Sequence, residues 1–172
     1  TSNRPQTTRH TIRGIVHRDD GQLILVDTPG LHRPRTLLGK RLNELVADTL
    51  AEVDAIGFCL PANEKIGPGD KFIAAQLAAI GNKPVIAIVT KADTVDRQAL
   101  TEQLLAVAAL GREVLGEAGW KDIVPVSAAD GFQVGTLADV LIGQMPPSPP
   151  LSVSAAPCCS MSRFTSAMLR SW

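Results

Sequence analysis

The chain has 172 residues, 45% of them hydrophobic, and its 17 basic residues balance 17 acidic ones to a formal net charge of zero at pH 7. That length can bury the core of one domain, and the charge balance excludes a global basic field that would draw nucleic acid to the surface. There is no run of eighteen apolar residues for a membrane-crossing helix, and Cys59, Cys158 and Cys159 form neither a disulfide framework nor a zinc spacing, so the composition is that expected of one soluble cytosolic domain.

Strands are expected over residues 11–17 and 22–26, flanking the hairpin signal Asp19-Asp20-Gly21, so this first pair should be antiparallel. The apolar run Leu23-Ile24-Leu25-Val26 leads directly into Asp27-Thr28-Pro29-Gly30. An Asp at the carboxyl end of a buried strand can hold Mg²⁺ through water. A Gly three residues later lets a backbone N–H approach a phosphate oxygen with no Cβ in the way. The pattern is that of a γ-phosphate sensor, although Pro-Gly is also ordinary turn chemistry.

Further along, Pro34-Arg35-Thr36-Leu37-Leu38-Gly39-Lys40-Arg41 imitates a phosphate-binding loop, with Pro where a Gly is needed and Arg where a hydroxyl should meet Mg²⁺. It reads as a decoy, a basic loop leading into a helix over 37–51, and the cluster Arg33, Arg35, Lys40 and Arg41 reads as a solvated face. A strand over 55–60 and a helix over 69–80 follow. Val85-Ile86-Ala87-Ile88-Val89 is then a continuous β-branched run, the pattern of a strand covered on both faces, and it ends in Thr90-Lys91-Ala92-Asp93. A rigidly held Asp93 can accept from guanine N1–H and the exocyclic amine, which adenine does not present, while the Lys91 stem lies against the base. Discrimination on the order of 10⁴-fold follows for a site built on such paired hydrogen bonds.

After a helix over 97–116, the short strand 123–126 is followed by Ser127-Ala128-Ala129, where a tight loop can offer an N–H to guanine O6. A last helix is expected over 134–144. The alternation predicts an α/β, doubly wound, mostly parallel sheet with one antiparallel hairpin, helices on both faces and the ligand at the carboxyl ends of the strands.

Three stretches resemble the Era-like branch of the TrmE-Era-EngA GTPase superfamily: residues 4–14, containing Gln6-Thr7-Thr8-Arg9-His10, as a first switch; Asp27-Thr28-Pro29-Gly30-Leu31-His32 as a second; and Ile66-Gly67-Pro68-Gly69-Asp70 as the start of the next helix. The likeness covers about residues 3–145, and His10 in place of the acidic residue of a TTRD-type switch favours this branch over its sisters. It implies a P-loop GTPase-type fold, and a GTP-binding, GTP-hydrolysing switch acting in 16S rRNA processing and small (30S) ribosomal subunit assembly. The nucleotide site would comprise Thr8, Asp27, Thr28, Pro29, Gly30, Leu31, Thr90, Lys91, Asp93, Ser127, Ala128 and Ala129, with Thr8 and Asp27 at Mg²⁺. Leu31 stands where Ras-like enzymes carry the Gln that orients the attacking water, so no catalytic side chain is assigned. Related enzymes position that water with backbone groups and in some cases K⁺. The implied partners are GTP and GDP, and 16S rRNA and the 30S subunit through a KH domain that this sequence does not contain; the implied state is a cytoplasmic monomer, with peripheral association at the inner face of the cell membrane.

The same resemblance leaves this sequence without the strand, GxxxxGK[ST] loop and helix that open such a domain. The expectation is therefore a partial domain over 1–145 whose first, central strand is missing, leaving an open slot in the sheet beside the DxxG strand and an unstable polypeptide that is inactive as a GTPase without its P-loop. Residues 146–172, beginning Pro146-Pro147-Ser148-Pro149-Pro150 and free of acidic residues after 150, are expected as an aberrant or disordered tail. Two alternatives stand beside the switch: an inactive, nucleotide-free remnant or interaction module, and a sister GTPase in tRNA modification or large-subunit assembly.

Overall fold

The computed structural model describes residues 12–18, 21–27, 50, 52–81, 83–117, 119–145 and 162–170. Strands β1 (Ile12–Arg18) and β2 (Gly21–Asp27) pair antiparallel from Ile12 opposite Asp27 to Arg18 opposite Gly21, as the turn residues between them dictate. Then come β3 (Ala55–Pro61), α1 (Pro68–Ala79), β4 (Val85–Thr90), a 3₁₀ turn (Ala92–Thr94), α2 (Arg97–Leu115), β5 (Asp122–Pro125), α3 (Val134–Gly143) and β6 (Ser162–Arg170). The sheet order is β1-β2-β6-β3-β4-β5, and every pair after the hairpin is parallel.

Alternation along the strands builds two cores. Val26 of β2, Ile56, Phe58 and Leu60 of β3, and Val85, Ala87 and Val89 of β4 face one side with Ile73 and Leu77 of α1 and Val107 and Leu110 of α2. Leu23, Ala55, Cys59, Ile86 and Ile88 face the other, closed by Leu141 of α3. Helices thus cover both faces, which is why β3 and β4 are apolar at successive positions and not at alternate ones. The helix expected over 37–51 lies almost wholly outside the described residues; Leu50 and Glu52 are helical, and the Lys83 Nζ caps this end by donating to the carbonyls of Leu50 at 2.9 Å and Val53 at 2.6 Å.

One expectation is corrected at the centre of the sheet. The position beside the DxxG strand is not an open slot: β6 fills it, pairing with β2 from Gly21–Ser162 to Asp27–Met168 and with β3 from Ala55–Ser166 to Cys59–Arg170. The physical reason is the row of backbone N–H and C=O groups that β2 and β3 would otherwise leave unpaired, a template for an extended segment. Of the segment 146–172, expected as an aberrant or disordered tail, residues 162–170 are therefore strand.

Candidate guanine-nucleotide site

The carboxyl end of β4 delivers Thr90, half-buried, to the edge of the sheet, where its carbonyl accepts from the Ala62 N–H at 2.7 Å and ties the ends of β3 and β4 together. Lys91 then turns the chain through the left-handed region, φ 57° and ψ 37°. A non-glycine residue there costs about 1–3 kcal/mol, so surrounding bonds must hold it. They do so from within the motif: the Thr94 N–H and Oγ1 both donate to the Lys91 carbonyl, at 3.0 and 2.7 Å. The Lys91 Nζ lies 3.9 Å from Glu64 Oε1, and with both side chains more than half exposed this pair contributes little. Asp93 is exposed on the 3₁₀ turn, and among the described residues its carboxylate has no hydrogen-bond or ion-pair partner.

The second loop is fixed to the first. The Ala92 N–H donates to the Val126 carbonyl at 3.1 Å, and the Val126 N–H donates to the Val89 carbonyl at 2.8 Å. Ser127 is fully buried; its Oγ accepts from the Ala129 N–H at 3.2 Å and the Asp130 N–H at 3.5 Å, and its own N–H donates to the Phe132 carbonyl at 3.1 Å. These bonds curl the backbone back on the serine, a local turn that competes with any continuation of the strand. The Ser127 hydroxyl, and after it the Phe132 N–H at 3.0 Å, hold the Asp130 carboxyl below the ordinary carboxylate value. Ala128 and Ala129 are exposed, and among the described residues the Ala128 N–H has no protein acceptor, which leaves it available to a ligand carbonyl.

Thr90, Lys91, Asp93, Ser127, Ala128 and Ala129 are thus brought together at one edge of the sheet. Thr8, Thr28, Pro29, Gly30 and Leu31 lie outside the described residues, and Asp27 is described by its backbone position at the end of β2, opposite Met168. Among the described residues no three His, Cys, Asp or Glu side chains form a metal-binding group. No helix of the described residues is long and apolar enough to cross a membrane.

Sequence reasoning missed Glu64, which reaches Lys91 from 27 positions earlier, and Gln103 of α2, whose amide donates to the carbonyls of Pro61 at 3.2 Å and Glu64 at 2.9 Å and fixes the loop that carries Glu64. A cavity of about 180 Å³ sits beside this loop, lined by Leu60, Ile66, Gly67, Asp70 and Gln103 among others. Asp130 was missed as well, although its place before Gly131 is a turn signal.

Comparison with known proteins agrees with this architecture. GTPase Era of Streptomyces coelicolor is 66% identical over 151 residues, covering 88% of this chain and 47% of the relative, and GTPase Era of a Nocardioides species is 60% identical over 151 residues, covering 88% and 48%. The chain therefore spans about half the length of the curated relatives it matches. Among solved structures, Era in complex with MgGDPNP and nucleotides 1506–1542 of 16S ribosomal RNA superposes with a TM-score of 0.77 at 28% identity, over 88% of this chain and 50% of that one. Translation elongation factor SelB of Methanococcus maripaludis, bound to a GTP analogue, matches at a TM-score of 0.65 and 17% identity, over 84% and 31%, and shows the fold alone. The family model described as 50S ribosome-binding GTPase matches residues 1–91, more than half of the sequence, and the chain belongs to that GTPase family.

Proposed function

We propose that the chain is the nucleotide-binding part of a GTP-hydrolysing switch of the Era type, acting in 16S rRNA processing and assembly of the small ribosomal subunit. The observation that carries the nucleotide reading is the Ala92–Val126 hydrogen bond, which sets Asp93 and the Ala128 N–H on one edge, both without a protein partner among the described residues. Asp93 accepts from guanine N1–H and the exocyclic amine, and Ala128 donates to O6. The stem of Lys91 would lie against the base.

Thr8 and Asp27 offer hydroxyl and carboxylate oxygens, the hard donors that suit Mg²⁺, which when bound neutralises charge on the β- and γ-phosphates. The Gly30 N–H would contact the γ-phosphate, and removing that phosphate releases both switch segments. Leu31 has no group to orient a water, so turnover by the intact protein is slow unless backbone groups or K⁺ do so. The RNA partner belongs to the reading through the Era relatives, one of which was solved with both MgGDPNP and 16S rRNA nucleotides. The proposal includes a cytoplasmic location with peripheral association at the membrane.

Equilibrium dialysis of the intact protein against GTP, GDP and ATP with and without Mg²⁺ tests the reading, and phosphate release from GTP tests the hydrolysis. Guanine-selective binding strengthened by Mg²⁺ supports the switch. A second reading, a nucleotide-free interaction module, is favoured by the strand between β2 and β3 being Ser162–Arg170; binding of none of the three nucleotides supports it.

A further inference from the structure

The turn that follows β3 is tied to the candidate base site by hydrogen bonds. The Ala62 N–H donates to the Thr90 carbonyl at 2.7 Å, at the entrance to the loop that carries Lys91 and Asp93. The amide of Gln103, half-buried in α2, donates to the carbonyls of Pro61 at 3.2 Å and Glu64 at 2.9 Å. One side of this turn is not packed. Gln103, Glu64, Leu60 and Ile66 line the cavity of about 180 Å³, so the two amide bonds, and not side-chain packing, hold Glu64 in place on that side. The helix that supplies Gln103 begins just behind Asp93 and is capped by Asp96, whose Oδ1 accepts from the Ala99 N–H at 2.7 Å. The Lys91–Asp93 loop is therefore braced against the turn at both of its ends, by Ala62 at Thr90 and by Gln103 through α2.

We propose, on the guanine-nucleotide reading, that Glu64 and Gln103 are positioning residues for the base site: Gln103 fixes the turn after β3, and Glu64 on that turn draws the Lys91 ammonium to itself and away from Asp93. Lys91 and Asp93 are opposite charges two positions apart on one exposed loop. A lysine paired with Asp93 would occupy the carboxylate oxygens that guanine N1–H and its exocyclic amine require. Among the described residues the carboxylate that reaches Lys91 is that of Glu64, with Nζ 3.9 Å from Oε1, and Asp93 is left without a partner. A pair more than half exposed on both sides adds little to stability. Its effect is on binding: the nucleotide meets a lysine already held and a carboxylate already open, so less side-chain freedom is lost when it docks.

GDP affinity of the intact protein, measured by competition against a fluorescent guanine nucleotide at low and high salt, tests this. Glu64→Gln is expected to weaken GDP binding about three- to tenfold at low salt and to leave the urea midpoint unchanged. That loss is expected to vanish in about 1 M NaCl, where charges are screened within ~3 Å. In a Lys91→Met background, where no ammonium remains to be held, Glu64→Gln is expected to change nothing. Gln103→Leu is expected to weaken GDP by a similar factor, and the double variant by no more than the larger single loss. The proposal is overturned if Glu64→Gln binds GDP as tightly as the unsubstituted protein, or if its loss persists at high salt or in the Lys91→Met background. Losses that multiply in the double variant overturn the role given to Gln103. A protein that prefers GDP to ADP and is indifferent to Glu64→Gln overturns this proposal alone; one that binds no GDP overturns the guanine-nucleotide reading and this proposal with it.

Discussion

The Ala92 N–H lies 3.1 Å from the Val126 carbonyl, and this one bond makes a single rigid unit of two loops that are more than thirty residues apart in sequence. Because Val126 also donates to Val89, the ends of β4 and β5 are fixed at the same level of the sheet. Asp93 and Ala128 inherit their relative position from that backbone geometry and not from side-chain packing.

Lys83 caps the helix end at Leu50 through the carbonyls of Leu50 and Val53. Lys83→Met removes the charge-assisted bonds to the carbonyls of Leu50 and Val53 while keeping the apolar stem. A loss of about 1.5–3 kcal/mol is expected from urea unfolding, with the m value unchanged.

Gly111 marks the closest approach of α2 to Trp120. A Cβ there would sit 2.6 Å from the indole Cδ1 and Nε1, and the ring cannot yield: its Nε1 donates to the buried Val107 carbonyl at 2.7 Å, and Phe58 packs against it at a centroid distance of 5.6 Å. Overpacking costs about 1–3 kcal/mol, against a helix-propensity gain of up to about 1 kcal/mol. Gly111→Ala is therefore expected to lower the urea midpoint. Gly135→Ala in α3, where nothing lies within 4 Å of the new Cβ, is expected to leave it unchanged or raise it.

Asp130 gives the second loop an acid limit. Its folded-state pKa is lowered from the ordinary aspartate value, first by the Ser127 hydroxyl and then by the Phe132 N–H, so the stabilisation it contributes is present above the unfolded value and is lost as pH falls through the folded one. The stability difference between the protein and Asp130→Asn, followed by unfolding at several pH values, is expected to be constant near neutrality and to shrink below about pH 4. A difference that grows on acidification would show that the carboxylate is not held in its charged form.

Much of the sheet is legible because burial leaves a periodic trace. Val85 to Val89 are β-branched or small at every position since both faces are covered, and Asp19-Asp20-Gly21 announces the hairpin. The loops behind β4 and β5 are legible as positions: Lys91, Asp93 and Ser127 stand at strand ends, where the sequence places the proposed purine site. Ser162–Arg170 is not legible, because its polar composition is not that of a central parallel strand and its conformation is imposed by the unpaired backbone of β2 and β3. Glu64 and Gln103 were hidden for a different reason: their roles arise from contacts between a loop and a helix distant in sequence, and neither lies in a patterned segment.

The most direct test of the account is the nucleotide preference of Asp93→Asn in the intact protein against that of the unsubstituted intact protein, measured by competition of GDP, XDP and ADP for a fluorescent guanine nucleotide. An asparagine amide places a donor where the carboxylate accepts, so guanine loses its partner and the 2-oxo group of xanthine gains one. The account predicts that GDP affinity falls by on the order of 10²-fold or more while XDP affinity rises, with ADP weak throughout. Unchanged preference for GDP in Asp93→Asn would contradict it.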